Sequence, residues 1–286
     1  MRIPFRLFVI LFLITAAKTI SAQKVDVGLL LGGSYYYGDV VNEVEPTTIR
    51  PAFGAFVRYR LTDRLALKAF GGYAVVSGDD QLSESTWQQQ RNWSFESTII
   101  EGSLQAEFNL LEDRNRGRRF ANPFIPYLFL GVGGFYFQPK SEFNGTLQST
   151  AELQLSGVAY SQTAIAVPMG IGFRYYVSHK IQLGFEFGMR YTTTSYIDDI
   201  GGSDVYVDPS TTPFPDVTRY YYARSVANNN PGDLRGKMGL AALKVNDIYF
   251  IYGLTASYTL GKTKGGAGGS RGGKPSGKAI RCPRFY

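Results

Sequence analysis

The segment from Ile181 to Thr192 alternates apolar and polar or glycine positions without a break. Successive side chains on a β-strand point to opposite faces, so this segment predicts a strand with one apolar and one polar, charged face. A soluble β-sandwich would bury the apolar face. A transmembrane barrel would turn it to lipid and keep Glu186 and Arg190 in the lumen. The alternation alone fits both, and other features must decide.

The N-terminus predicts export. Arg2 and Arg6 precede an unbroken apolar run at 7–14, and small residues follow as far as Ala22. This is the order of a secretory signal peptide, with cleavage expected before Gln23. An uncleaved anchor is the alternative, but the run is too short to cross about 30 Å of hydrocarbon as a helix. No later stretch has the roughly 20 apolar residues of a membrane helix, so any membrane span should consist of strands.

Composition and charge divide the rest of the chain into two parts. The 20 Tyr, 20 Phe and 33 Gly residues suit a barrel, which uses aromatic side chains at the lipid headgroups and glycine where its wall bends. Residues 23–260 are slightly acidic, whereas the Gly/Lys-rich segment 261–286 is basic and contains no acid. In an exported chain such a tail predicts a solvated or partner-binding arm, and nucleic acid is not expected as a partner.

Eight segments alternate in the same way, and tight turns or polar loops separate them. They are residues 25–37, 51–61, 64–77, 91–111, 123–137, 162–177, 181–192 and 247–260. Short connections are expected after the second, fourth and sixth segments, and long ones after the others. This pattern predicts an all-β, eight-stranded antiparallel transmembrane barrel with short periplasmic turns, long extracellular loops and both termini in the periplasm. A soluble sandwich or calycin-like barrel is the alternative, but such long strands are unusual in soluble sheets.

Several motifs carry a family resemblance. In chain order they are Gly32-Gly33-Ser34-Tyr35, Tyr37-Gly38-Asp39, Arg58-Tyr59-Arg60, Arg91-Asn92-Trp93-Ser94-Phe95-Glu96-Ser97, Glu101, Glu107-Phe108-Asn109, Pro126-Tyr127-Leu128-Phe129, Gly131, Gly133, Gly134, Pro168-Met169-Gly170-Ile171-Gly172-Phe173, Glu186-Phe187-Gly188-Met189-Arg190, Tyr196-Ile197-Asp198-Asp199, Tyr206-Val207-Asp208-Pro209 and Asn230-Pro231-Gly232. Each motif is weak alone. Their order resembles that of the PorG-like outer-membrane barrels of the Bacteroidetes. The C-terminal Arg281-Cys282-Pro283-Arg284-Phe285 is also similar to the end of that family, whereas the spacer before it is not.

The resemblance implies a role. PorG-like proteins are outer-membrane components of the type IX secretion system and associate with periplasmic ring proteins, one of them a lipoprotein. Residues 23–260 are expected to form the barrel, and the tail residues 281–285 are expected to meet the partner, for which the resemblance indicates the ring lipoprotein. We therefore expect a non-enzymatic barrel that anchors the ring assembly. A structural or adhesive small barrel unrelated to secretion, or a lipid-modifying barrel enzyme, is the alternative.

Charged residues in the polar phase of the predicted strands should fill the lumen, because an eight-stranded barrel has little free interior space. They are Arg58, Arg60, Glu101, Glu107, Arg174, Glu186 and Arg190. A network of buried ion pairs is the favoured interpretation, and a proton or ion path is the alternative.

Catalytic and metal-binding chemistry has little support in the sequence. A lipid-modifying barrel would need a Ser–His pair near the outer rim, but His179, the only histidine, falls in a turn that we expect on the periplasmic side. Asp198, Asp199, Asp204 and Asp208 could gather a hard cation, although loop-capping is the favoured role. Phosphate-cradling and zinc-binding spacings are absent, and we expect no cofactor.

Cys282 is the one cysteine of the chain, so it cannot form a disulfide within the same molecule. An unpaired cysteine in an oxidising compartment suggests an intermolecular disulfide or a free thiol. Glycine-rich segments behave as flexible coils, so the spacer at 265–277 could carry Cys282 away from the barrel. An incidental tail cysteine is the alternative.

Overall fold

The computed structural model describes residues 25–38, 40–41, 45–84, 88–89, 92–113, 122–143, 145–151, 159–200 and 246–260. The expected signal peptide, the basic tail and most of the loop at 198–246 lie outside these ranges. Within them, no helix has the length and apolar character needed to cross a bilayer.

Nine antiparallel strands make up the fold, eight of them long. They are β1 Val25–Tyr37, β2 Arg50–Arg60, β3 Leu65–Asp79, β4 Ser94–Asn109, β5 Phe124–Phe143, β6 Thr146–Ser149, β7 Thr163–Tyr176, β8 Ile181–Thr192 and β9 Ile248–Thr259. Single 3-10 turns, Pro46–Thr48 and Asp80–Leu82, lie in two of the connections.

The eight long strands close into a barrel. Each pairs with its neighbours along the chain, β5 pairs with β7 beyond the short β6, and β1 pairs with β9 from Asp26–Thr259 to Tyr37–Ile248. Every wall strand therefore has two partners, and the wall has no free edge. The eight-stranded antiparallel barrel predicted from the sequence is confirmed.

The two ends of the barrel differ in their connections. The end that carries Val25 and Leu260, called here the terminal end, has four-residue turns at 61–64 and 177–180. The opposite loop end carries the connection between β8 and β9, residues 193–247. One expectation needs correction: the connection after β4 spans 110–123 and is not as short as the other two at the terminal end.

A second correction concerns residues 139–161, which were expected to be loop. β5 continues to Phe143, turns at Gly145, which has a φ of +77°, and pairs with β6. The hairpin was missed because polar side chains lie on both of its faces, as at Lys140 and Glu142 on one face and Ser141 and Gln148 on the other, so it lacks the apolar alternation used to recognise strands. The bounds of β1 and β8 match those predicted. The bounds of β2, β3, β4, β7 and β9 differ from the predicted ones by up to three residues.

The outer face of the wall carries a broad apolar belt. Its most exposed members include Leu254 at 70 %, Leu104 at 68 % and Leu31 at 59 % of their surface. On β5 the belt runs from Phe124 to Tyr136. At about 3.3 Å per residue and a tilt of about 45°, this run spans roughly 28 Å, close to the hydrocarbon thickness of a bilayer.

Aromatic side chains cluster on the outer face. Phe173 lies between Phe124 and Phe185, with ring centroids 5.3 and 6.3 Å away. Phe187 lies 5.6 Å from Phe250. An apolar, aromatic-rich outer belt on a closed antiparallel wall is the architecture of an outer-membrane β-barrel.

Above the belt, the wall continues at the loop end with polar outward residues. On β5 these are Gln138, Lys140 and Glu142, and Glu96 of β4 pairs in register with Lys140. We call the part of the wall at the height of the belt the membrane section. The extension, residues 92–98 and 137–149 with the loop residues packed on them, is the cap section.

Candidate functional site

The interior of the membrane section contains charged side chains of both signs. Among the residues that the structure describes, it holds Arg58, Arg60, Lys68, Arg174 and Arg190 together with Asp26, Glu101, Glu107, Asp113 and Glu186. Each of these residues is at most 3 % exposed. Because cations and anions are equal in number, the set is neutral overall, and ion pairs can offset the cost of burying the charges.

Glu107 lies at the centre of the network. Its Oε2 accepts a hydrogen bond from Arg58 Nε at 2.7 Å and lies 3.3 Å from Arg174 Nη1. Its Oε1 lies 3.4 Å from Lys68 Nζ. Three strands bring these cations to one carboxylate on a fourth, so Glu107 ties β2, β3 and β7 to β4 across the lumen.

At the terminal end the network continues through Asp26 and Arg60. Arg60 Nη2 donates to Asp26 Oδ1 at 2.8 Å, and the same oxygen accepts from the Thr259 hydroxyl at 2.7 Å. Arg60 Nη1 also lies 3.8 Å from Asp113 Oδ2, which accepts from the Tyr176 hydroxyl at 2.6 Å. These contacts connect strands β1, β2, β7 and β9 at the terminal end with the connection after β4.

Towards the middle of the barrel, a lysine is enclosed by carboxylates and rings. Lys68 Nζ donates to Glu186 Oε2 at 2.6 Å, and that oxygen also accepts from the Tyr127 hydroxyl at 2.9 Å. The ammonium lies 4.7 Å from the ring centroid of Phe129 and 5.7 Å from that of Phe56. Ion pairs and aromatic ring faces both stabilise the charge of this lysine, so its role is to hold the barrel interior together.

A separate pair lies nearer the loop end. Arg190 Nε donates to Glu101 Oε2 at 3.1 Å, and Tyr249 donates its hydroxyl to the same oxygen at 3.1 Å. Arg190 Nη1 also donates to the carbonyl of Gly188 at 2.8 Å. The Phe70 ring lies 5.7 Å from the Arg190 guanidinium. Aromatic side chains therefore lie beside this pair as well as beside Lys68.

The interior of the cap section is mainly apolar. Phe95 and Phe137 are buried there, and Trp93 packs on them from the connection before β4. A few polar groups are satisfied within this core. The Tyr36 hydroxyl, for example, lies 2.7 Å from Asp198 Oδ2 and 2.7 Å from Asp247 Oδ1, and Trp93 Nε1 donates to the Asp198 carbonyl at 3.1 Å.

These observations decide what the interior can do. A water-filled pore would expose its lining, but Arg58, Lys68 and Arg190 are 2 %, 1 % and 0 % exposed. The lumen is packed with side chains, as an interior of this width allows. The geometry is that of a cross-braced wall in which charges hold the strands together.

The structure places all seven charged residues predicted for the lumen inside the barrel and joins them in ion pairs or hydrogen bonds. Sequence reasoning missed Asp26, Lys68 and Asp113. Asp26 and Lys68 occupy the polar phase of β1 and β3, so the alternation that identified the others could have found them. Asp113 lies beyond β4, where alternation gives no signal.

The structure also places residues that the sequence analysis considered for catalysis and judged unsuited to it. His179 lies in the turn between β7 and β8 at the terminal end, and the neighbouring Ser178 hydroxyl accepts from the amides of Lys180 and Ile181 at 3.2 and 3.0 Å. That serine caps a turn. No group of three or more His, Cys, Asp or Glu in the described ranges could hold a metal ion.

Several sequence predictions lie outside the described residues. Among them are Asp204 and Asp208. The tail positions Arg281, Cys282, Pro283, Arg284 and Phe285 lie outside as well.

Comparison with known proteins gives a family and a set of similar folds. The model of a family described as "Domain of unknown function (DUF6089)" matches residues 5–212. No curated protein sequence matches the chain.

Solved structures with a similar arrangement include the N-terminal β-barrel domain of Pseudomonas aeruginosa OprF, at 12 % identity and a TM-score of 0.33. The attachment invasion locus protein Ail of Yersinia pestis is 11 % identical, with a TM-score of 0.36. Each comparison covers 82 % of this chain and 96 % of the other. A major outer membrane protein of Thermus thermophilus is 14 % identical, with a TM-score of 0.39, and the match covers 82 % of this chain and 98 % of that one.

Proposed function

Since the chain belongs to the family described as a domain of unknown function (DUF6089), and that description assigns no activity, we propose a function from its architecture and its motifs. The protein is a non-enzymatic outer-membrane barrel that anchors a periplasmic ring assembly of the type IX secretion system. The observation that carries the anchoring role is the cross-braced lumen. A wall braced by buried ion pairs suits a fixed platform and leaves no room for a channel.

The assignment to type IX secretion rests on the resemblance to PorG-like barrels. Several of its motifs supply the side chains that brace the lumen: Arg58 and Arg60, Glu107 and Asn109, and Glu186 and Arg190. Asn109 accepts a hydrogen bond from Arg174 and so joins the same network. The resemblance therefore includes residues that hold this wall together as well as surface residues.

In this proposal the terminal end faces the periplasm and the loop end faces outward. The short turns at 61–64 and 177–180 support this orientation, because outer-membrane barrels carry their short connections on the periplasmic side. The orientation places the segment after Leu260 on the same side as the ring proteins.

Cys282 is the proposed attachment point to the lipoprotein of the ring. Arg281 and Arg284 flank it in sequence, and nearby positive charge lowers the pKa of a thiol and favours disulfide exchange. A tether to a membrane-fixed barrel also raises the local concentration of the arm near a ring beneath it. Arg281, Pro283, Arg284 and Phe285 complete the proposed contact.

The test of function is a cross-linking pull-down from the native envelope with the full chain as bait, combined with a secretion assay in a deletion strain. Recovery of periplasmic ring proteins and loss of secretion are the expected results. Normal secretion in the deletion strain, with no ring protein recovered, would make the chain a structural or adhesive barrel outside this system.

The disulfide has its own test. Non-reducing electrophoresis of envelope protein should show a reducible high-mass band in wild type that is lost on Cys282→Ser. A monomer band alone in wild type, with normal secretion by the variant, would show that the disulfide does not form. The tail would then make at most a non-covalent contact.

Orientation is tested by labelling intact cells. In a Cys282→Ser background, a cysteine introduced at Tyr221 should react with a membrane-impermeant maleimide, and one introduced at Asn115 should react only after lysis. The reverse pattern would invert the proposed topology.

A further inference from the structure

A buried carboxyl joins two connections at the loop end. Asp199, in the connection between β8 and β9, is 2 % exposed. Its Oδ1 accepts a hydrogen bond from the hydroxyl of Tyr160, which lies in the connection between β6 and β7. Its Oδ2 is buried and has no hydrogen-bond partner. In the described part of the chain, no lysine or arginine forms an ion pair with Asp199.

Both partners of this hydrogen bond are held in place. The Tyr160 ring stacks on Tyr196, with centroids 4.4 Å apart and planes 10° apart, and it lies parallel to Phe137 at 6.2 Å. Asp199 has a left-handed backbone with a φ of 64°, and its amide donates to the Tyr196 carbonyl at 3.1 Å. The contact of Asp199 with Tyr160 and Tyr196 thus fixes the two connections to each other and to the cap section.

Among the residues that the structure describes, the groups around Asp199 are neutral or acidic. The Thr150 hydroxyl faces the carboxyl from the end of β6 but makes no hydrogen bond of normal geometry. Asp198 is the neighbour in sequence, and its carboxyl contacts Tyr36 of β1, which also contacts Asp247 at the start of β9. A buried carboxylate without a cation is costly, whereas a neutral carboxyl is tolerated and gains a donor.

We propose that Asp199, Tyr160 and Tyr196 form a proton-operated clasp, in which the neutral Asp199 carboxyl holds the two connections together and the ionised form releases them. Burial raises the pKa of Asp199 from 3.8 to about 7, although the hydrogen bond from Tyr160 and the nearby Thr150 hydroxyl oppose the rise. The same burial and the adjacent Asp199 raise the pKa of Tyr160, so that residue stays a donor.

The sign of the effect follows from proton linkage. The closed clasp binds the proton more tightly than an open one, in which Asp199 would titrate near its ordinary value of 3.8. Closure is therefore strongest below about pH 4, weakens by about tenfold per pH unit up to about pH 7, and is constant above that. Acid tightens the clasp and neutral pH loosens it.

The test is hydrogen exchange on the full chain in lipid nanodiscs at pH 5, 6 and 7, with each rate divided by the intrinsic rate at that pH. The amides of Asp199 and Ile200 report clasp opening, because they donate to the Tyr196 carbonyl and to Asp198 Oδ1. Their opening constant should rise about tenfold per pH unit. The Phe187 amide in β8 is the internal reference and should not change.

Two variants separate the clasp from a general effect of pH. Asp199→Asn keeps the shape but cannot ionise, and its opening constant should be independent of pH. Glu84→Gln removes an exposed carboxylate at the same end of the barrel and should behave as wild type. A wild-type opening constant that is flat from pH 5 to 7, or an equal slope in Asp199→Asn, would overturn the proposal. If Asp199→Asn does not fold, the wild-type profile decides alone.

Discussion

The membrane section and the cap section are built from the same strands, yet their polarity is opposite. In the membrane section Leu104 and Leu254 point outward, and Glu107 and Arg58 point inward. In the cap section most outward side chains are polar, as at Lys140, and the largest inward ones are apolar, as at Phe137. Both sections keep the two-residue period of a β-strand. The solvent around the wall differs: lipid at one height and water at the other.

Charge and burial stabilise the two sections in different ways. Lipid offers no hydrophobic driving force for closing the membrane section, so its inner face is held by ion pairs and hydrogen bonds. Water surrounds the cap section, which can therefore be stabilised by burying apolar side chains, as in a soluble β-domain. The most damaging substitution should consequently be of a different type in each section.

The largest effect is expected for Glu107→Gln. The substitution leaves Arg58, Lys68 and Arg174 without their common carboxylate, and breaking a buried charge network costs roughly 3–5 kcal/mol. Urea unfolding of the refolded barrel in lipid vesicles measures the loss. Glu112→Gln is the control, because its pair with Arg64 is 34–49 % exposed and is worth at most about 1 kcal/mol. Equal losses for the two variants would mean that the lumenal network does not brace the wall.

How much of this could be predicted is clearest from individual residues. The bounds of β8 followed from alternation alone because its outward face lies in lipid along most of its length. The β5–β6 hairpin was missed because polar residues lie on both of its faces. Tyr35 has the outward phase of β1 but is 7 % exposed, since it packs with the cap core and lies 6.2 Å from Phe250.

The sequence predicts which charged residues lie in the lumen, but not how they pair with one another. Alternation assigned the charged residues to the lumen, but it cannot say which cation meets which carboxylate. That depends on how far the strands are staggered around the barrel, which no single strand encodes. The central position of Glu107 is such a case, because its three partners come from three other strands.

A smaller effect, of about 3 kcal/mol, is expected for Phe137→Ala, which opens a cavity in the core of the cap section. Phe137 lies 5.6 Å from Phe135 and parallel to Tyr160, so both contacts would be lost. Val132→Ala in the same strand is the control. Val132 is 58 % exposed on the lipid-facing side, and its truncation leaves no cavity. If Val132→Ala proves as costly as Phe137→Ala in the same unfolding assay, the cap section has no separate core.

The third substitution tests the outer face, with an expected loss of about 2 kcal/mol for Phe187→Arg, because an arginine on the lipid face is costly near the midplane. Gln138→Arg places the same side chain in the outward phase of the cap section, where water can solvate it. Its effect on the free energy of unfolding should be close to zero. Similar losses of unfolding free energy at both positions would mean that the outer faces of the two sections do not differ in their surroundings.

The opposite polarity of the two sections can be measured directly by a nitroxide scan along β5 in a Cys282→Ser background, in lipid vesicles, with collision rates for oxygen and for a water-soluble nickel chelate. Labels at the outward positions Leu128, Leu130 and Val132 should collide mainly with oxygen, and labels at Gln138 and Lys140 mainly with nickel.

A label at the inward Phe129, in the membrane section, should collide with neither. Oxygen-dominated collisions along the whole outward face, or nickel access at Phe129, would contradict the account. The first result would mean that the cap section is not exposed to water. The second would mean that water enters the lumen.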